Sequence, residues 1–473
     1  MKKLITNLVL VAAFFLVMNA NSIGQTHIWG TCDDGGITNG GTIFTVDGNG
    51  NNLNTVYSYD NSNAMYPLAN MVLAPNGKIY GIICIDNCGT TRELNEYDPV
   101  THTNHIVYNF GMYNPIPDDG MILGTDGNLY GTTIFGESND FGSIYRFNPN
   151  TYAFDTIHNF DFYSGSQPHG RLLQINNKLY GYTNQGGVYN RGVIFCLDLS
   201  TLNYTDLYDF NIGTGVNPIW GSLILANDGK LYGTTQFYAM GNPNGVIYSY
   251  DISANQYSVV HYFDYLHGGS PEASLIQATD GKLYGMTRIG GLDSVSVIFS
   301  YDISDSIYTD LYDFDKTHGA NPFRELMQAS NGLIFGVTVN GGTYNKGVLF
   351  SYNISSNAYN VLFNFDGGHD GSQPDCDLVE LPDNLTNGIK TINKNEEISF
   401  YPNPASSTIT ISQSTPSPNQ QLLITNILGE EIYHQTINNT TQTTIDVSRW
   451  SNGVYFYQIR GDKETLQGKF VKQ

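Results

Sequence analysis

Three short stretches set an aspartate and a histidine three residues apart. They are "FDYLH" at 263–267, "FDKTH" at 314–318 and "FDGGH" at 365–369, pairing Asp264 with His267, Asp315 with His318 and Asp366 with His369. A carboxylate beside an imidazole is metal-ligand chemistry, but ligation needs several such groups within about 2–2.2 Å of one ion. The pairs recur 51 residues apart, so each belongs to its own turn and the three point to separate places. The expected role is hydrogen bonding inside the turn, with metal binding the competing reading. No cofactor is expected.

The cysteines are Cys32, Cys84, Cys88, Cys196 and Cys376. Cys84 and Cys88 ("CIDNC") could close a local disulfide; a zinc site would need further ligands. Cys196, inside "VIFCLD", reads as a lone buried thiol. No G-x-S-x-G or H-E-x-x-H occurs, nor the S-x-D-x-G-x-T-W turn of sialidase propellers. No acidic spacing forces two carboxylates together, although distant segments could still assemble a pair. No catalytic residue is assigned.

The elements that position these residues repeat. The aromatic residue of the "LYG" motif falls at Trp29, Tyr80, Tyr130, Tyr180, Tyr232, Tyr284 and Phe335, with gaps of 50 to 52. A period of this size belongs to solenoids or propellers. Each copy holds four strand-like runs, here "SLIQA" (274–278), "KLYGMT" (282–287), "VIFSYD" (297–302) and "TDLYDFD" (309–315). Gly, Asn, Asp and Pro punctuate them, as between antiparallel strands. Asp280-Gly281 reads as a two-residue hairpin turn with two positive φ angles. The shared aromatic is expected to pack between neighbouring sheets. The glycine after it should permit a bulge or close backbone approach.

Four strands in seven copies predict an all-β, seven-bladed β-propeller. The chain enters the pattern at run two ("HIWGTC", 27–32) and leaves after run one ("DLVELPDN", 377–384). One blade would therefore join one late strand to three early ones, closing the ring and removing two sheet edges. In that register Cys376 matches Ala273 and Cys32 matches Thr287, which lie opposite across the hairpin. Opposed residues have Cα atoms about 4.5–5.5 Å apart, so a Cys32–Cys376 disulfide is predicted. Alternating strand direction puts the loops between runs two and three, and those joining blades, on one face. These are the longer and more variable loops, so any site is expected there or at the mouth of the central channel.

The formal charge is −22. Six basic and seven acidic residues lie beyond 390, so the excess acid sits in the repeats. An acidic body of this kind is not expected to bind nucleic acid. Lys2 and Lys3 precede an apolar stretch, Leu4 to Met18, too short to span a membrane comfortably and typical of a signal peptide over 1–24. Export permits disulfides.

The 50-residue pattern stops near 384. A polar linker (385–396) leads to strand-like runs over 397–473, which predict a small C-terminal β-sandwich. Tyr401-Pro402-Asn403-Pro404, "ITNILGEEI", "IDVSRWSNGVYFYQI" and the terminal "KFVKQ" together resemble the type A C-terminal sorting domain of the bacterial type IX secretion system. Trp450 stands where that family often has Leu. The resemblance implies passage across the inner membrane by the signal peptide and across the outer membrane by type IX machinery. It also implies release or surface attachment, in a Bacteroidetes-type bacterium. The repeats, through "DGxLYGTTxxGGxxxxGxIFxxD", resemble the GloVer tandem repeat of choice-of-anchor exported proteins, a likeness that carries architecture and no activity.

The functional expectation is an exported, monomeric propeller, over 25–384, that binds a glycan or protein through its loop face. An extracellular polysaccharide-acting enzyme and a purely structural or adhesive surface protein are the alternatives.

Overall fold

The computed structural model describes residues 26–472, except 60–65, 86–90, 113–115, 118–119, 137–140, 217, 238–243 and 383–397. Within the last part, 402–404, 414–419, 427–430, 438–439, 441, 452 and 461–464 are also excepted. The chain divides into two compact units, Met1–Asp383 and Asn384–Gln473. Every regular element described is a strand. The signal segment and the linker lie outside the described residues.

The first unit holds seven consecutive antiparallel sheets with the form of propeller blades. The sixth is typical: Ile276–Gln277, Leu283–Thr287, Val297–Asp302 and Ile307–Asp313, in that order from one edge. Its second and third strands are buried almost throughout. A sheet covered on both faces has no solvent side to reserve for polar residues. Alternate residues of the third strand serve the two interfaces: Phe299 and Tyr301 pack toward the fifth sheet, Ile298 toward the seventh.

Closure occurs at the predicted place. Val379–Pro382 pairs with Thr26–Cys32, followed by Thr42–Asp47 and Asn54–Ser58. The register runs from Thr26↔Pro382 to Trp29↔Val379. One apolar cluster joins this first sheet to the seventh through Phe44, Val46, Phe335 and Phe365. A repeated clasp crosses the closure too. The backbone N–H groups of Thr125, Asn227 and Thr279 each donate, at 2.8 Å, to a glutamine of the next sheet: Gln174, Gln277 and Gln328. At the closure Ser330 N–H donates to Glu380 at 2.7 Å.

Two sequence expectations need refinement. The Asp-Gly hairpin has a positive φ at Gly281 (85°) and none at Asp280. Gly281 N–H donates to Ala278 O and Ala278 N–H to Lys282 O, the pattern of a type I turn followed by a one-glycine bulge. The aspartate is there for its side chain, which accepts from Lys282 N–H and from the Tyr284 hydroxyl at 2.8 Å. The glycine after the repeated aromatic has an ordinary φ, and its purpose is space. A Cβ on Gly285 would lie 2.6 Å from Phe299 Cζ and 2.8 Å from Leu275 Cδ2. The same contact recurs at Gly30, Gly131, Gly181, Gly233 and Gly336, where the aromatic of strand three lies across the glycine. Only the second sheet departs, with Asn95 facing Gly81.

The repeated aromatics do pack between sheets. Tyr80, Tyr130, Tyr180, Tyr232, Tyr284 and Phe335 each sit in the cluster shared with the next sheet. Farther out, strand-four rings stack across five successive interfaces: Tyr108 on Phe154, His158 on Tyr204, Tyr208 on Tyr257, His261 on Tyr308 and Tyr312 on Tyr359, with centroids 3.9–4.3 Å apart.

The second unit holds two antiparallel sheets. One orders Ile398–Tyr401, Thr408–Gln413 and Gln442–Asp446; the other orders Glu431–Ile437, Gln420–Thr425, Gly453–Arg460 and Thr465–Lys472. Both contribute to one core around Ile409, Ile411, Leu422, Ile424 and Ile459.

Candidate functional site

The three Asp–His stretches do not converge on one another. His267 Nδ1–H donates to Asp264 Oδ2 at 2.8 Å, and the His267 backbone N–H donates to Oδ1 of the same carboxylate at 2.8 Å. Asp315 and His318 repeat this geometry. The third stretch departs: Asp366 accepts from Gly368 N–H, and His369 lies 3.6 Å from Asp370 instead. The loops have a further anchor, since the hydroxyls of Tyr308 and Tyr359 donate to the carbonyls of His267 and His318. Among the described residues no group of three or more His, Cys, Asp or Glu is placed to hold a metal ion.

Cys32, Cys84, Cys196 and Cys376 are buried free thiols, so the predicted Cys32–Cys376 bond is not formed in this structure. The strand register, extended by three residues, sets the two cysteines opposite each other. Thr31 N–H donates to Cys376 Sγ at 3.1 Å. Burial pushes the Cys376 thiol up to about 12 and the Cys32 thiol well above its usual range, the latter also by the nearness of Cys376. Cys88 lies outside the described residues, as do Pro402, Asn403 and Pro404; Tyr401 ends the first strand of the second unit.

The chemistry gathers at the innermost strands. In every sheet one residue of that strand pairs with the strand-two aromatic: Val72, Ile122, Leu173, Ile224, Ile276, Met327 and Val379. The residue before it is always Met or Leu and always buried. The residue before that is Asn70, Gly120, Arg171, Ser222, Ser274, Glu325 or Asp377. This variable column forms a layer at the centre of the ring. Arg171, of the fourth sheet, pairs with Glu325 of the seventh and, at 3.4 Å, with Asp377 of the first. Those sheets are not neighbours in the cyclic order, so the contacts span the axis. Asp377 also accepts from Glu325 N–H at 3.0 Å, and Ser222 Oγ accepts from Arg171 N–H at 2.9 Å. Burial pushes the Glu325 carboxyl up, Arg171 pulls it down, and Asp377 pushes it up again.

Toward the loop face a second group of side chains meets. Glu272 accepts from Gln236 at 2.6 Å and from Arg288 at 3.1 Å, both on Oε1. Arg288 lies over the Phe323 ring, 5.1 Å from its centroid. Trp220, from the fifth sheet, meets Phe323, from the seventh, edge to face at 6.4 Å. Arg324 grips Asp375 through Nε at 2.6 Å and Nη2 at 3.3 Å. Sequence reasoning missed both groups. Aligning the copies on the innermost strand would have exposed the column, since its charges interrupt an otherwise uniform apolar pattern.

The loop face has a second character. The eight most exposed large apolar side chains described are Ile37, Tyr163, Val188, Tyr189, Ile212, Leu266, Leu292 and Tyr344, at 57–85% exposure. All eight lie in loops between strands two and three or between sheets.

Comparison with known proteins agrees with this architecture. Residues 399–473 match the secretion system C-terminal sorting domain. The chain is thus a substrate of type IX secretion machinery, secreted or held at the cell surface. No curated protein matches. Among solved structures, the periplasmic gluconolactonase of Pseudomonas aeruginosa is similar at 14% identity and a TM-score of 0.51, covering 76% of this chain and 99% of that one. PorZ, a surface component of the type IX secretion system of Porphyromonas gingivalis, is similar at 12% identity and a TM-score of 0.45. That alignment covers 92% of this chain, which spans 63% of PorZ. At 14% identity the likeness to the gluconolactonase speaks for fold alone. The Gloeobacter/Verrucomicrobia repeat matches over 87–265 and 215–398, about two thirds of the sequence, and the chain belongs to that repeat family.

Proposed function

We propose that the protein is an exported binding protein. Its repeat region (25–384) acts as a closed seven-bladed propeller that takes an extracellular glycan or protein on its loop face. A signal peptide (1–24), a linker (385–396) and a C-terminal sandwich (397–473) serve its delivery, and it works as a monomer. The observation that carries this reading is the placement of the eight most exposed apolar side chains. Surface apolar residues scattered singly need no explanation, but their concentration on one face marks an interaction surface. The variable loops there stand on a rigid frame, the usual arrangement for recognition. Glycan-array and pull-down screens with the purified protein test it; blank screens in both formats would overturn it.

A second reading, a polysaccharide-acting enzyme, draws support from Glu325. It holds its proton more tightly than an ordinary carboxylate and sits beside Asp377. A carboxyl that holds its proton with a second carboxyl beside it is the raw material of glycoside hydrolysis. Release of new reducing ends from polysaccharides, abolished by Glu325→Gln, would favour it over simple binding.

A further inference from the structure

We infer that the axial mouth on the loop face is a subsite for a neutral sugar ring, held by Trp220 and Glu272. The inference rests on the binding reading above and names its ligand class. Trp220 has a φ of 60°. A bulky residue in the left-handed region is a genuine outlier, held there by its surroundings at a cost of about 1–3 kcal/mol. Packing does not explain it, because Trp220 is only partly buried and its described ring contact is the edge-to-face approach to Phe323. The strain instead holds the indole, partly exposed, against Phe323 of the seventh sheet.

Beside it stands an incomplete polar group. Glu272 is 1% exposed, and its Oε1 accepts from both Gln236 and Arg288. Its Oε2 is buried and meets no donor among the described residues. A buried carboxylate oxygen without a donor is costly and calls for one. Glu272 and Trp220 belong to one chain of contacts, through Arg288 at 3.1 Å from Glu272 and the Phe323 ring that meets both Arg288 and Trp220. Arg288, with 41% of its side chain exposed, lies over Phe323.

A sugar ring matches these features together. Its C–H face stacks on an aromatic surface, and its hydroxyls both donate and accept. One hydroxyl would donate to Glu272 Oε2, while Arg288 and Gln236 supply donors to its neighbours. The charges of Glu272 and Arg288 cancel, which favours a neutral sugar over a uronate.

The experiment uses the full chain and tryptophan emission. Trp29 is fully buried and Trp450 belongs to the other unit, so Trp220 is the responsive reporter. The chain is titrated with neutral gluco-, manno-, galacto- and xylo-oligomers, a uronate oligomer and a proline-rich peptide. A neutral oligomer should shift the emission, and Glu272→Gln should weaken that binding about tenfold or more, because a donor replaces the needed acceptor. Trp220→Gly, followed by calorimetry, should lose affinity to a similar degree without lowering the melting temperature, since glycine relieves the positive φ. Binding of only the uronate or the peptide overturns the inference. Neutral-sugar or array binding that neither substitution touches also overturns it, yet leaves the loop-face reading standing. Silence in this panel and in the screens removes both.

Discussion

Among the described residues Arg171 is the one cation that reaches both Glu325 and Asp377 across the ring. The three side chains keep 20%, 18% and 9% of their surface exposed. At the 3.4 Å separation from Asp377, an effective dielectric near 20 gives an attraction of about 5 kcal/mol. Desolvation offsets much of that, which is why such pairs add little net stability. Removing one partner is different, because it leaves two carboxylates facing each other. Arg171→Met should therefore destabilise the repeat unit by about 3–5 kcal/mol at neutral pH. The loss should depend on pH, and its sign follows from Glu325. Its folded-state proton affinity is already raised, chiefly by burial, and without Arg171 it rises further. The folded state then binds a proton that the unfolded chain lacks, so stability is recovered as pH falls through the raised folded value. Urea unfolding at about pH 7.5 and about pH 5.5 reads this difference, and Arg171→Met with Glu325→Gln should regain most of the loss. A single variant within about 1 kcal/mol of the parent would refute the reasoning. So would a penalty unchanged by acid.

The glycine column gives a paired test. Gly285→Ala should lose about 1–3 kcal/mol in thermal unfolding because its Cβ meets the Phe299 ring at 2.6 Å. Gly81→Ala, facing Asn95 at 3.2 Å, should lose clearly less. His158 and His261 are pushed down to about 4 by burial. They contribute stability above the unfolded value of about 6.5 that is lost as pH falls toward 4. His261→Phe keeps the stack on Tyr308 and should narrow the gap in melting temperature between neutral and mildly acidic buffer. Asp206 and Asp310, raised to about 6 by burial, act in the opposite sense, so the comparison is variant against parent. For Cys32 and Cys376, burial keeps both thiols protonated, and only the thiolate attacks. Oxidant added to the folded chain should leave both alkylatable after unfolding. Refolding in a glutathione redox buffer should form the bond, lowering intact mass by about 2 Da. If neither route joins them, the closure stands without a covalent fastening. Finally, deletion of 399–473 should strand the protein inside the cell envelope, read by fractionation.

The sequence by itself determined the repeat, the strand inventory and the place where the ends meet. Those features are local or periodic: "LYG" recurs because each sheet needs an aromatic for its neighbour and a glycine under the next ring, and the phase of the first and last copies requires Val379 beside Trp29. Two of the three Asp–His turns were legible for the same reason, since their partners lie three residues away; in the third, His369 lies by Asp370 instead. Turn type was only half legible, because Asp280 was chosen for the Tyr284 hydroxyl and not for its own φ. The axial cluster could not be read from any one copy. Arg171, Glu325 and Asp377 stand 154 and 52 residues apart along the chain, and each alone looks like a polar residue near a strand end. Only closure of the sheets brings them together, because charges so distant in sequence attract one another strongly only when folding has removed the water between them.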